Sequence, residues 1–215
     1  LLRILYKESR FQEGLSRLSN LLQDKTLSFS NRTELFIWKL KFYEKLTLYQ
    51  KSLELSNELL EDPQIRASPV FRIQILVEQI KIHYLQGHLE LMHSNIEKTE
   101  DLVIQQLEHE SNSLLPYIAD VVLLKGGYYW QHGELDNALY QFKFNYQIRE
   151  KLDDPLDLAH ALNNLGVMHN AIGNLPKALT YLKKAYSLYR SINNLRGVSK
   201  TGNNIGAIYI QIGEL

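Results

Sequence analysis

The 215-residue sequence predicts an all-α solenoid, a stack of antiparallel helix pairs with no single core. Three observations carry this reading. Gly126, Gly166 and Gly206 are 40 residues apart, as are Gly133, Gly173 and Gly213, and Leu135, Leu175 and Leu215. A fixed period of this length is the sequence mark of a repeat architecture. Small and apolar residues between the glycines recur at helical spacing. Leu, a strong helix former, is the commonest residue, at 39 positions.

Six units are expected, over residues 1–25, 33–62, 70–112, 117–153, 157–193 and 199–215, the last cut short. In the first, YKESRFQEGLSRL (6–18) places Gly14 at a small position of a second helix. In the second, KFYEKLTLYQKSLEL (41–55) places Ser52 there, and in the third LQGHLELM (85–92) places Met92 there after a Gly87 turn. The step from Met92 to Ala138 is 46, so the third unit is longer, with Ser111, Asn112 and Ser113 as its break. The fourth and fifth units align without a gap, QHGELDNALYQF (131–142) on AIGNLPKALTYL (171–182). In the fifth, Leu162, Leu165, Gly166 and His169 mark the stripe of one helix. Gly173 suits the left-handed end of that helix, and Pro176 the start of the next. Ala178, Leu182 and Ala185 form the second stripe, and Gly166 and Ala178 are small so that two helix backbones can approach. Asn193 and Asn194 turn the chain into a sixth unit, where QIGEL (211–215) starts the pattern of the aligned segments and is cut off. Because the chain opens on Leu1 and closes inside a unit, it is expected to be a section of a longer protein.

These residues resemble the tetratricopeptide repeat. Its pattern of small and aromatic positions is met by Gly166, His169, Gly173, Ala178 and Ala185. Gly126, Tyr129, Gly133 and Ala138 meet it one unit earlier, although Asn145 stands at the last small position; Gly206, Tyr209 and Gly213 meet it one unit later. The long period and the LNNLG string (162–166) are similar to the subtype in kinesin light chains and spindle-orientation adaptors. The resemblance is specific over 117–215 and looser over 1–112. It implies a right-handed superhelical α-solenoid with a concave groove lined by first helices. It also implies a non-enzymatic protein- or peptide-binding scaffold, by analogy of fold.

The groove positions follow from helical phase. They are His160, Asn163, Asn164 and Asn170 in the fifth unit, and Lys200, Asn203, Asn204 and Gln211 in the sixth. In the fourth the same phase gives Asp120, Leu123, Leu124, Gly127, Trp130 and Gln131. Asn carries a donor and an acceptor, so a ladder of Asn can grip an extended peptide backbone. Two roles stay open for Asn164 and Asn204, ligand contact or a tie between adjacent helices. Trp130 fits either an aromatic anchor or a unit junction. Lys200 in this phase could pair with a carboxylate of the partner.

Charge is uneven. The formal net charge is zero, yet residues 158–213 contain no Asp or Glu and six basic residues. Glu150, Asp153, Asp154 and Asp157 precede them. Overall neutrality argues against nucleic acid as a partner. Zero Cys excludes a disulfide framework and thiolate metal sites. His83, His88 and His93 are five apart, which rotates them round a helix instead of aligning them on one face. With no catalytic motif, no enzyme activity, cofactor or metal is expected. No apolar run approaches the roughly 20 residues of a membrane span, and a cytoplasmic protein is expected. Two alternatives are a regulatory or sensor module of a larger signalling or transcription protein, and end-to-end self-association.

Overall fold

Each helix starts and stops where local chemistry directs it. Ser28, Asp62, Ser68, Asp154, Asn174 and Asn194 cap helix starts, their side-chain oxygens accepting from backbone N–H groups of the first turn. Proline occupies the first turn of five helices. A computed structural model describes residues 1–106 and 114–213. Among them lie twelve helices: α1 (Leu2–Lys7), α2 (Phe11–Leu21), α3 (Phe29–Lys45), α4 (Tyr49–Glu61), α5 (Pro63–Arg66), α6 (Pro69–Gln86), α7 (Leu89–Gln106), α8 (Leu115–Gln131), α9 (Leu135–Glu150), α10 (Pro155–Ala171), α11 (Leu175–Ser191) and α12 (Leu195–Ile212). The Ser111–Ser113 break expected from sequence lies outside the described residues, as do Glu214 and Leu215.

One left-handed residue closes the first helix of each hairpin. Its φ is 58° at Ser9, 57° at Thr47, 72° at Gly87, 75° at Gly133 and 77° at Gly173. The following N–H donates back to the last turn, for example His88 to His83 O and Glu134 to Tyr129 O, both at 2.9 Å. This bond satisfies a carbonyl that the helix end would leave orphaned.

The chain divides into two compact units, Leu1–Ser111 and Asn112–Leu215. In the first, α2 packs on α1 and α3, and α6 packs on α3, α4 and α7. In the second, α9 packs on both α8 and α10, and α11 on both α10 and α12. Within the two units α2, α4, α9 and α11 thus each cover their own first helix and the next one. The apolar core is accordingly divided among the junctions. Ala138 and Phe142 of α9 bury Leu165 and Met168 of α10. Ala178 and Leu182 of α11 bury Ile208 of α12. Such nearest-neighbour burial is the solenoid arrangement.

Two glycines show why the hairpins are tight. A Cβ on Gly126 would lie 2.7 Å from the Phe142 ring, and one on Gly166 would lie 2.5 Å from Leu182 Cγ. Gly206, in the same phase, has nothing within 4 Å of its would-be Cβ.

Candidate binding groove

The first helices of the second unit, α8, α10 and α12, carry every residue that helical phase assigned to the groove. On α10, His160 is exposed, Asn164 and Asn170 are half-buried, and Asn163 is buried at 2% exposure. On α12, Lys200, Asn203 and Gln211 are exposed and Asn204 is half-buried. Trp130, at 36% exposure, and exposed Gln131 end α8.

The structure joins two of these positions, Asn163 and Asn204, with Thr201 in one node. Asn163 Oδ1 accepts from Thr201 Oγ1 at 3.1 Å and from Asn204 Nδ2 at 3.2 Å. The node ties α10 to α12. The sequence placed Asn163 outside the packing stripe; here its acceptor is already committed within the protein. Asn204 Oδ1 takes no part in that node. Asn170 Oδ1 is buried with no hydrogen-bond partner among the described residues. A buried acceptor in this state costs free energy until something donates to it.

A second cluster was not legible in the sequence. Arg149, at the end of α9 and 6% exposed, donates to Asp120 of α8. Its other terminal nitrogen lies 2.8 Å from Asp157 Oδ2 on α10. The three residues join three helices. Burial raises the Asp157 carboxyl above its ordinary pKa, with Arg149 pulling it the other way. His160 Nδ1 is 4.0 Å from Asp157 Oδ1, and its ring centre is 5.6 Å from that of Tyr189. Partial desolvation holds His160 below its ordinary pKa; Asp157 opposes this and the charge of Lys200 adds to it. Burial pushes the Tyr189 hydroxyl well up. Helical phase placed Asp120 and His160 on the groove side, but nothing in the sequence linked Arg149 to Asp120, 29 residues away.

Basic residues of the acid-free stretch lie mostly on α11: Lys177, Lys183, Lys184 and Arg190. Lys183 Nζ sits 5.5 Å from the centre of the Tyr209 ring. Among the described residues no three His, Asp or Glu converge on a possible metal position. Nor is any described helix long and apolar enough to cross a membrane.

Residues 117–191 match the sequence model described as tetratricopeptide repeat. No curated protein sequence matches the chain significantly. Solved structures do. One is BtubC from P. vanneervenii, at 18% identity and TM-score 0.64, covering 90% of this chain and 78% of that one. A signal transduction ATPase with numerous domains and a tetratricopeptide repeat sensor, from Pyrococcus horikoshii, aligns at 16% identity and TM-score 0.74. That match covers 98% of this chain but 30% of the other. A putative kinesin light chain from Podosopora anserina, with nearly identical TPR-like repeats, aligns at 16% identity and TM-score 0.53, covering 90% and 93%.

Proposed function

We propose, from the premise that residues 117–191 belong to the tetratricopeptide repeat family and that the chain has the fold of such repeats, that this protein is a non-catalytic scaffold holding an extended segment of a protein partner against α8, α10 and α12. Repeats of this kind generally mediate protein–protein interaction. The observation that carries the reading is the polar row on α10 and α12. The side chains of Asn164, Asn203 and Gln211 make no hydrogen bond among the described residues, and Asn170 has a buried acceptor without a partner. Side chains with open donors and acceptors on two successive first helices suit a peptide backbone more than any one side chain. Lys200 beside His160, with no acid between Leu158 and Gly213, favours a segment that carries a carboxylate near the Asn row.

The test begins with peptides selected from a random display library on the intact chain. Asn164→Ala, Asn203→Ala and Lys200→Ala should each weaken a selected peptide by roughly fivefold, the worth of about one hydrogen bond. The melting temperature should hold. Peptides that bind all three variants as they bind the parent would remove the groove assignment.

A further inference from the structure

The Leu1–Ser111 unit contains a cavity of about 640 Å³ between α4 and α7, floored by α6. That volume is in the range of small-molecule sites. Its apolar walls are Leu53 and Leu60 from α4, Leu76 from α6 and Leu91 from α7. Arg66, Arg72 and Lys98 also line it, and no Asp or Glu does. The contrast is local, because residues 1–112 hold 14 basic against 16 acidic side chains. Arg66 is engaged by Glu61. Arg72 and Lys98 have no carboxylate partner among the described residues.

The base of the cavity is polar and built. Gln79 and Asn95, 5% and 8% exposed, occupy places where leucine would pack without further requirement. Gln79 Nε2 donates to Ser56 Oγ and to Asn57 Oδ1, each at 2.8 Å, and Gln79 Oε1 accepts from Asn95 Nδ2 at 3.2 Å. The chain of amides fixes α4, α6 and α7 at the spacing that leaves the cavity open. His83 stands in the same wall, 8% exposed, and its Nδ1 has no partner among the described residues.

We infer that this cavity is a binding site for a small organic anion, with an apolar body against the leucines and a phosphate or carboxylate head between Arg72 and Lys98. The cations supply charge-assisted bonds, and the planar guanidinium of Arg72 can take two oxygens of the head at once. The site is separate from the first-helix face of Asn112–Leu215, and it stands or falls without that assignment.

Calorimetric titration of the intact chain with phenyl phosphate, phenylacetate and uncharged benzyl alcohol tests the proposal. At least one anion should bind saturably, with Kd of about 1 mM or tighter, and benzyl alcohol should not. The two anions distinguish a phosphate from a carboxylate head. Arg72→Gln with Lys98→Gln should weaken binding at least about tenfold. Lys177→Gln with Lys184→Gln, on α11, should leave it unchanged. In the unmodified chain, the side-chain amide NMR signals of Gln79 and Asn95 should move on titration, a readout independent of any variant's folding. Absence of saturable binding by both anions, equal binding to the Arg72/Lys98 variant, or stationary amide signals would overturn the site.

Discussion

Asn163 separates two roles that an Asn-rich helix can play. Its Oδ1 receives both Thr201 and Asn204, whereas Asn203, one repeat on, is exposed and makes no such bond. Asn163→Ala leaves two donors without an acceptor, one of them on a fully buried Thr201, and should lower stability by about 1–3 kcal/mol. Asn203→Ala should change it by less than about 0.5 kcal/mol. Denaturant titration of the two variants reads the difference. The repeated glycines divide in the same way. Gly166→Leu drives a side chain into Leu182 and should cost at least about 1–3 kcal/mol, seen as a lower melting temperature. Gly206→Ala meets open space within a helix and should gain up to about 1 kcal/mol. His169 adds a pH dependence. It is buried against Tyr181, with ring planes 4° apart, and burial holds it below its ordinary pKa of 6.5. Below that value the unfolded chain takes up a proton that the folded chain refuses. Stability from this residue is therefore complete above pH 6.5 and declines as pH falls towards the lowered folded value. His169→Phe keeps the ring contact and should flatten the fall in melting temperature between about pH 7 and pH 5. An unchanged slope would assign the decline elsewhere.

Helices report different things from residues. The ends of α8, α10 and α11 were legible because proline, glycine and a capping Asn or Asp stand at the positions helix termini require. The first two hairpins of the first unit were harder to read. There the left-handed position is Ser9 or Thr47, so no glycine marks the turn, and the four-residue α5 breaks the spacing. Helical phase placed the candidate residues on the first helices. It could not tell which of them a neighbouring helix would use, because Asn163 meets its partners 38 and 41 residues away. Arg149 was invisible for the same reason. Its role is to join three helices, α8 through Asp120 and α10 through Asp157. Arg149→Ala leaves two acids near one another without their cation. Asp157 is 39% exposed at its side chain, so solvent screening discounts the loss, and about 1–3 kcal/mol is expected. Adding Asp120→Asn to Arg149→Ala should recover part of it. A double-mutant cycle in urea that gives no coupling would show that the ion pairs do not hold α8 to α10.

At the scale of the whole chain, stability should be local, because apolar burial is divided among helix junctions and not gathered into one core. Units that bury surface only against neighbours unfold as neighbours do. Gly166→Leu, placed in the α10–α11 hairpin, provides a probe of that range. Native-state hydrogen exchange should show protection falling first in α10 and α11, then in α9 and α12, which pack against them. Amides of the Leu1–Ser111 unit, which is compact by itself, should keep theirs. The same experiment separates the two proposed sites. A peptide held on α8, α10 and α12 should raise protection in the second unit, and an anion held between α4 and α7 should raise it in the first, each by the free energy of its own binding. If Gly166→Leu lowered protection equally throughout, the chain would be one cooperative body. Occupancy of either site would then stabilise the other, and the division of burial among junctions would not set the unit of unfolding.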